Sequence, residues 1–326
     1  MRLVLCYPVE PKHSAQIAAV APHLELVAAG QEQIAELIHT ADLFCGHAKV
    51  PVDWDRVVRD GRLTWTQSSA AGLDWLLVPS VIESPMIVTS ASGVLGDQVA
   101  EHTVALLTAI TRSLPVFFRA QQRKEYIRRP TRDLHHSTVG IVGFGGVGRR
   151  VAEVLAPFRT RIIATDVFPI DKPSHVAELW PADQLDKLLA EADIVILCLP
   201  LNAQTEWMFD REQFARMKPG AIFLNMARGR LVVEEALVEA LASGRLYAAG
   251  ADVAAEEPLL PTSKLWDLPN MLITPHVAGQ SARRSDSMTD FFCDNLRRYL
   301  NGEPLRNLVD KRLGFPIRGA SGLTET

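Results

Sequence analysis

Apolar and polar positions along the chain fall into two alternating series joined by one long amphipathic stretch. From Arg2 to Ser90 the short apolar runs RLVLCY, LELVA, ADLFCG, LTWTQ and MIVTS read as strands, and SAQIAAV and QEQIAELIH, between the first few, carry helical spacing. Such a succession predicts an α/β domain with a mostly parallel sheet. Next, DQVAEHTVALLTAITRSLPVFF keeps its apolar residues at helical spacing for longer than a simple crossover needs, and is expected to bridge domains or subunits. The arm RAQQRKEYIRRPTRDLHH follows. Its basic residues, concentrated in 119–132, outnumber Glu125 and Asp133 and leave no apolar face, so a solvated connecting arm is expected, with a binding patch as the alternative.

A second series begins at STVGIVGFG and continues through RIIATD, ADIVILCLP, GAIFLNMA, YAAGADV and NMLITP, with a helical segment before each later strand. Six strands in strict alternation with helices predict a doubly wound sheet. A helix from about Ala282 to Leu300 comes after it. The last dozen residues are rich in Gly, Ser and Thr and are expected to be loosely held.

Composition narrows the function classes. At 326 residues the chain exceeds the usual size of one compact core, so two domains are expected, and with 48% hydrophobic and 22% charged residues it should fold throughout. A formal charge of −4 supplies no general attraction to nucleic acid or anionic membrane and favours a small-molecule partner. Cys6, Cys45, Cys198 and Cys293 are scattered without a C-x-x-C pair, so reduced core thiols are expected and no metal site is read. The N-terminus MRLVLCYPVEPKH has only a short apolar run before Pro8 and an acid at Glu10. Neither a signal peptide nor a membrane anchor is expected, and a cytoplasmic location is the default.

Chemistry enters at GFGGVG. Gly143, Gly145 and Gly148 occupy the three glycine places of G-x-G-x-x-G, with Gly146 and Val147 between them; the motif follows the apolar strand TVGIV and opens the amphipathic helix VGRRVAEVLAPF. A tight turn, a backbone able to touch a pyrophosphate and a helix N-terminus aimed at it are what a dinucleotide requires. The next strand ends in Asp166, whose carboxylate could accept from both adenosine ribose hydroxyls and would repel the extra phosphate of NADP. Val167, Phe168 and Pro169 follow without an arginine to hold that phosphate, so NAD is expected rather than NADP. The alternative for Asp166 is a turn or cap residue.

Three ionisable residues stand just after strands of the second series, on the edge where open α/β sheets bind ligands: Arg228 after AIFLNMA, Glu257 shortly after YAAGADV, and His276 after MLIT. Moving a hydride between a secondary alcohol and NAD needs a group that takes or returns the hydroxyl proton near neutrality, which suits His276. Glu257 would stabilise the protonated imidazole and raise its pKa. Arg228 could hold a substrate carboxylate and polarise the neighbouring carbonyl. Taken singly, each could instead be a turn, cap or packing residue; a joint occurrence in one sheet favours the chemical reading.

The stretches GIVGFGGVGRRVAEVLAPF, LPLNAQTEWMF, LNMARGRLVVEEALVEAL, GADVAAEEPL and ITPHVAG, in this order, resemble the D-isomer-specific 2-hydroxyacid dehydrogenases, a family that includes glyoxylate and hydroxypyruvate reductases. SSAAGLDWL and VAEHTVALLTAITR are also similar to the family's substrate loop and interdomain helix, so the resemblance spans nearly the whole chain. It implies two Rossmann-like or flavodoxin-like domains with doubly wound parallel sheets: residues 1–95 as the first part of the substrate domain, 96–282 as an inserted NAD-binding domain, and 283–326 returning to the substrate domain, with the active site in the cleft. It further implies Arg228, Glu257 and His276 as catalytic residues, the backbone around Ala71 and Gly72 as a carboxylate cradle, and Pro200, Thr205, Ala227 and Asp252 as further cofactor contacts, Asp252 facing the nicotinamide carboxamide. A homodimer paired through the cofactor domains and the helix beginning near Gln98 is implied as well.

Two departures bear on the substrate. Members commonly carry a tryptophan in the arm that reaches the partner's pocket, where this chain reads KEYIRRPTRD, leaving Tyr126 or an arginine to substitute; and the loop SSAAGLDW offers no lysine or arginine for a phosphorylated substrate. The expected activity is NAD-dependent interconversion of a small D-2-hydroxy acid and its 2-keto acid, such as glyoxylate or hydroxypyruvate. Formate oxidation is disfavoured because that branch pairs its histidine with glutamine, whereas Glu257 is acidic. Phosphoglycerate or phosphite oxidation by the same residue set, and a dinucleotide-sensing corepressor-like scaffold, are the alternatives.

Overall fold

A computed structural model describes residues 1–316, and most of the Gly, Ser and Thr rich tail lies outside the described residues. The chain forms two compact units, Met1–Leu95 with a returning segment that begins at Ser281, and Gly96–Gln280.

In the first unit five strands, β1 (Arg2–Cys6), β2 (Glu25–Ala28), β3 (Leu43–Gly46), β4 (Trp65–Ser68) and β5 (Ile87–Thr89), form a wholly parallel sheet in the order β2-β1-β3-β4-β5. This is the flavodoxin-like doubly wound order. Every residue of β3 and β4 is buried, as parallel strands covered on both faces must be. The connecting helices are α1 (Pro11–Val20), α2 (Ile34–Leu37), α3 (Trp54–Asp60) and α4 (Pro79–Glu83). QEQIAELIH thus yields only one α-helical turn, which tightens into a 3-10 turn at Ile38–Thr40.

The second unit begins with α5 (Gly96–Thr111) and α6 (Leu114–Gln122), which meet at 68°. The long helix expected over this stretch is therefore two helices. Pro115 has no N–H to continue the ladder, and its ring would collide with the carbonyl of Thr111; the chain turns at Ser113, in the left-handed region at φ 55°. The first residues of the basic arm lie within α6. Farther along, Arg132 donates to the Gly220 carbonyl and lies 3.6 Å over the Tyr247 ring, pinning part of the arm instead of leaving it solvated. No single helix among the described residues is long and apolar enough to cross a membrane.

A seven-stranded parallel sheet follows, built from β6 (Thr138–Val142), β7 (Arg161–Asp166), β8 (Glu178–Pro181), β9 (Ile194–Leu197), β10 (Ala221–Asn225), β11 (Leu246–Ala251) and β12 (Met271–Ile273). Its order, β12-β11-β10-β9-β6-β7-β8, is the Rossmann order with one further strand, and reverses between β6 and β9. The intervening helices are α7 (Gly146–Leu155), α8 (Leu185–Glu191), α9 (Arg211–Arg216) and α10 (Glu234–Ala242). Alternation is not strict: β8 was not expected from the sequence, no helix separates it from β7, and β11 reaches β12 through a loop with only a 3-10 turn at Lys264–Asp267. Sequence ELWP of β8 is short and pairs on one side only, with β7; Leu179 and Trp180 pack against the core while Glu178 and Pro181 are exposed, too short a run to stand out as a strand.

The returning helix α11 (Arg284–Asn301) belongs to the first unit and packs beside α1. Phe292 and Tyr299 stack on Trp65 of β4 with ring centroids 5.4 and 4.9 Å away, and Asn295 donates to the Gln67 side chain at 2.9 Å and to the Arg306 carbonyl at 3.0 Å. Trp65 and Phe292 are both fully buried. Phe292→Ala would open a cavity against the buried Trp65 indole, and should destabilise the protein by about 3–5 kcal/mol. The midpoint of urea unfolding checks this; a shift equivalent to under ~1 kcal/mol would show that α11 is not anchored by this stack.

Candidate active site

The sheet of the second unit presents its strand C-termini along one edge, and the loops there carry most of the residues singled out in the sequence. Gly143 follows β6 at φ 90°, and a Cβ at that position would lie 2.8 Å from the backbone of Cys198 and Leu199 at the end of β9. A Cβ on Gly148 would come within 2.2 Å of the Gly143 carbonyl, whereas one on Gly145 would meet nothing within 4 Å. Two of the glycines thus allow backbone to pack on backbone, and the third leaves open space before the first turn of α7, where Gly146 and Val147 point their amides. That is the fit a pyrophosphate needs: free N–H donors, the positive end of a helix, and no side chain in the way.

Asp166 ends β7. Its Oδ2 accepts the Phe144 N–H at 2.6 Å and its Oδ1 the Phe168 N–H at 2.9 Å, so the residue does hold a turn. A carboxylate oxygen takes about two donors, which leaves one place on each oxygen for a further hydroxyl. Val167, Phe168 and Ile170 are exposed beyond it. The fold also brings an arginine to this loop, whose own cation is Lys172: Arg149 of α7 donates to the carbonyls of Ile170 and Asp171 at 2.7 and 2.6 Å, while Lys172 donates to the Val176 carbonyl at 2.8 Å. Next to the Gly-rich turn, the loop after β9 is knit internally, with the Thr205 hydroxyl donating to the Pro200 carbonyl at 2.7 Å and accepting the Asn202 N–H at 2.9 Å.

Arg228, Glu257 and His276 follow β10, β11 and β12, three adjacent strands. Ala227, buried, donates its N–H to the Asn225 side chain, which in turn donates to the Arg228 carbonyl at 2.8 Å, so the arginine's backbone is tied to the end of its strand. Gly229 is the close contact: a Cβ there would fall 1.9 Å from the carbonyl carbon of Ala254. Only glycine lets the Arg228 loop lie directly on the loop that leads to Glu257.

His276 Nδ1 and Glu257 Oε2 are 2.7 Å apart, and the other Glu257 oxygen accepts the Ala254 N–H at 3.1 Å. Burial alone would raise the Glu257 carboxyl, but the hydrogen bonds from His276 and Ala254, with the charges of His276 and Arg228, outweigh it and hold the group below its ordinary value. Glu257 is therefore an anion at neutral pH and accepts the Nδ1 proton, so the pair engages only one of the two ring nitrogens of His276. The histidine sits at φ 54°, left-handed backbone that a non-glycine residue adopts only when its surroundings hold it there.

What holds it is Asp252, just past β11. This side chain is 3% exposed; Oδ1 accepts the Thr274 hydroxyl at 2.6 Å and the Val277 N–H at 2.9 Å, Oδ2 accepts the Ala278 N–H at 2.7 Å, and the Asp252 carbonyl accepts the His276 N–H at 2.7 Å. Asp252 is thus first a clasp for the turn that carries His276, with one place left on Oδ2 for another donor. Nothing in the local sequence marks Asp252 for that role, since its partners lie in a turn well along the chain.

Ala71 and Gly72 belong to the first unit, in the segment after β4, where the Ser68 hydroxyl accepts the Ala70 N–H at 3.0 Å. The loop itself holds no basic residue, but Arg284 of α11 donates to the Ser69 carbonyl at 3.3 Å, and burial pulls its guanidinium below the usual arginine range. Tyr126, in the arm, is 98% exposed. All four cysteines are free, and Cys6, Cys45 and Cys293 are buried.

Residues 104–278 match the family described as D-isomer specific 2-hydroxyacid dehydrogenase, NAD binding domain. The chain is 31% identical over 289 residues to a glycerate dehydrogenase of Methylorubrum extorquens, covering 86% of this chain and 88% of that protein. It is 33% identical over 272 residues to glyoxylate/hydroxypyruvate reductase B of Pectobacterium atrosepticum, covering 80% and 83%. Among solved structures, a D-isomer specific 2-hydroxyacid dehydrogenase of Xanthobacter autotrophicus in complex with NADPH and MES superposes with a TM-score of 0.82 at 27% identity, over 96% of this chain and 99% of that one. With a Rossmann sheet, a glycine turn fitted to a dinucleotide and near full-length similarity in hand, the chain belongs to the D-isomer-specific 2-hydroxyacid dehydrogenase family of oxidoreductases.

Proposed function

We propose that the protein is an NAD-dependent reductase of a small 2-keto acid such as glyoxylate or hydroxypyruvate, interconverting it with the D-2-hydroxy acid. The single observation that carries this reading is the 2.7 Å His276–Glu257 pair, whose carboxylate also feels the charge of Arg228. When bound, the nicotinamide supplies or accepts the hydride. In the reductive direction His276 gives the proton on Nε2 to the carbonyl oxygen, and Glu257 keeps the Nδ1 proton and steadies the cation before transfer. Arg228 holds the substrate carboxylate and stabilises charge on the carbonyl oxygen. Backbone N–H groups at Ala71 and Gly72 serve the same carboxylate in this reading.

Preference for NAD rests on Asp166, whose carboxylate would stand against a 2′-phosphate. Arg149 stands at the loop after Asp166, and the Xanthobacter relative is described with NADPH, so the two cofactors are to be compared directly. Leu114, Phe118 and Tyr126, exposed along α6 and the arm, support pairing of two copies as the working assembly.

Mixing the protein with NADH or NADPH and a panel of 2-keto acids should show oxidation of NADH faster than of NADPH, and Asp166→Ala should narrow that preference by tenfold or more; no oxidation of either with any member of the panel would favour a sensing scaffold over an enzyme. His276→Ala should lower kcat by about 10²–10⁴, while the NADH dissociation constant from fluorescence titration stays within about twofold. Glu257→Gln removes the anion that favours the protonated imidazole, so reductive turnover should fall more at pH 8 than at pH 6; an equal loss at both values would contradict the role given to Glu257.

A further inference from the structure

One titratable side chain of the second unit has no part in the mechanism above and yet touches the turn that presents His276. His102, on α5, is 21% exposed, and its Nε2 lies 2.8 Å from the Thr274 hydroxyl oxygen and 3.6 Å from Asp252 Oδ1. The Thr274 hydroxyl has one hydrogen and donates it to Asp252 Oδ1 at 2.6 Å, so toward His102 it can only accept. Nε2 of His102 therefore carries a proton and donates it.

We propose that His102 is a positioning residue: by donating to Thr274 it orients that hydroxyl toward Asp252 and so keeps the carboxylate turned to the Val277 and Ala278 amides, holding His276 in its left-handed backbone conformation. A threonine hydroxyl can rotate, and without a donor behind it can spend its hydrogen on a nearby carbonyl or on water. Asp252 would then lose a partner while remaining buried, and a buried carboxylate short of a donor relieves itself by turning or by admitting water. Either movement loosens the two amides that close the turn. His102 is far from this turn in sequence, and α5 reaches the turn because it packs beside β11.

The inference rests on His276 being the proton carrier, and the test separates the two. Gln places an amide N–H where His has Nε2–H, so His102→Gln should keep kcat within about threefold, while His102→Leu should lower kcat by tenfold or more. The substrate KM should change little in both. Hydrogen–deuterium exchange of the segment 274–280, with no substrate or cofactor present, should quicken by tenfold or more in His102→Leu and Thr274→Val and stay near wild type in His102→Gln and Thr274→Ser. If His102→Leu matches the wild type in kcat and in exchange while His276→Ala is inactive, the positioning role is overturned and the proton carrier stands. Should Gln and Leu be equally impaired in both readouts, His102 acts through packing and the donor role is likewise overturned. An active His276→Ala would overturn the reading beneath.

Discussion

A buried carboxylate has to find donors, and the way Asp252 finds them organises the chemistry of the second unit. The residue stands just past β11, and its oxygens collect the Thr274 hydroxyl and the amides of Val277 and Ala278 from the far side of β12. Leaving such a charge unpartnered would cost several kcal/mol, so the chain after β12 has little freedom: it must fold back over Asp252. That fold-back is the turn in which His276 takes a positive φ and reaches Glu257. His276 is thus placed by backbone amides and a buried carboxylate, and its ring enters that placement only through Nδ1, which meets Glu257.

Close approach of backbone to backbone is the second constraint. Gly229 lays the Arg228 loop on Ala254, and Gly143 and Gly148 let the turn after β6 pack between β9 and α7. Each of these contacts has no room for a Cβ; those at Gly229 and Gly143 bring a loop from one strand end against its neighbour, and that at Gly148 seats α7 on its own turn. The edge of a parallel sheet gathers residues from distant parts of the chain; glycine at the crossing points sets how tightly they gather. At Gly145, by contrast, nothing fills the space, which is what a ligand site requires and a packed core does not.

Much of this was legible in the residues. Most strands of both sheets announced themselves as short apolar runs because a parallel strand covered on both faces is mostly apolar; β4 is the departure, buried with Thr66, Gln67 and Ser68 hydrogen-bonded. Gly143, Gly145 and Gly148, Asp166, and the strand-end positions of Arg228, Glu257 and His276 were readable because each depends on local order: a motif beside a strand, or a residue just after one. Strand β8 was not, since an edge strand borrows its stability from the neighbour it pairs with. Nor was the break between α5 and α6, where a periodic apolar pattern ran on through Pro115 although the backbone could not.

The sequence by itself determined the class of fold, the dinucleotide turn and the identity of the ionisable groups, because periodicity and motif spacing act over a few residues. Tertiary structure alone decided their geometry: that Glu257 meets His276 at Nδ1, that Asp252 closes the turn, that His102 from α5 stands behind Thr274, and that Arg149 and Arg284 arrive at loops far from them in sequence. These contacts join residues from about 20 to more than 200 positions apart in the chain, and such pairings follow from sheet order and helix packing, which no local pattern encodes.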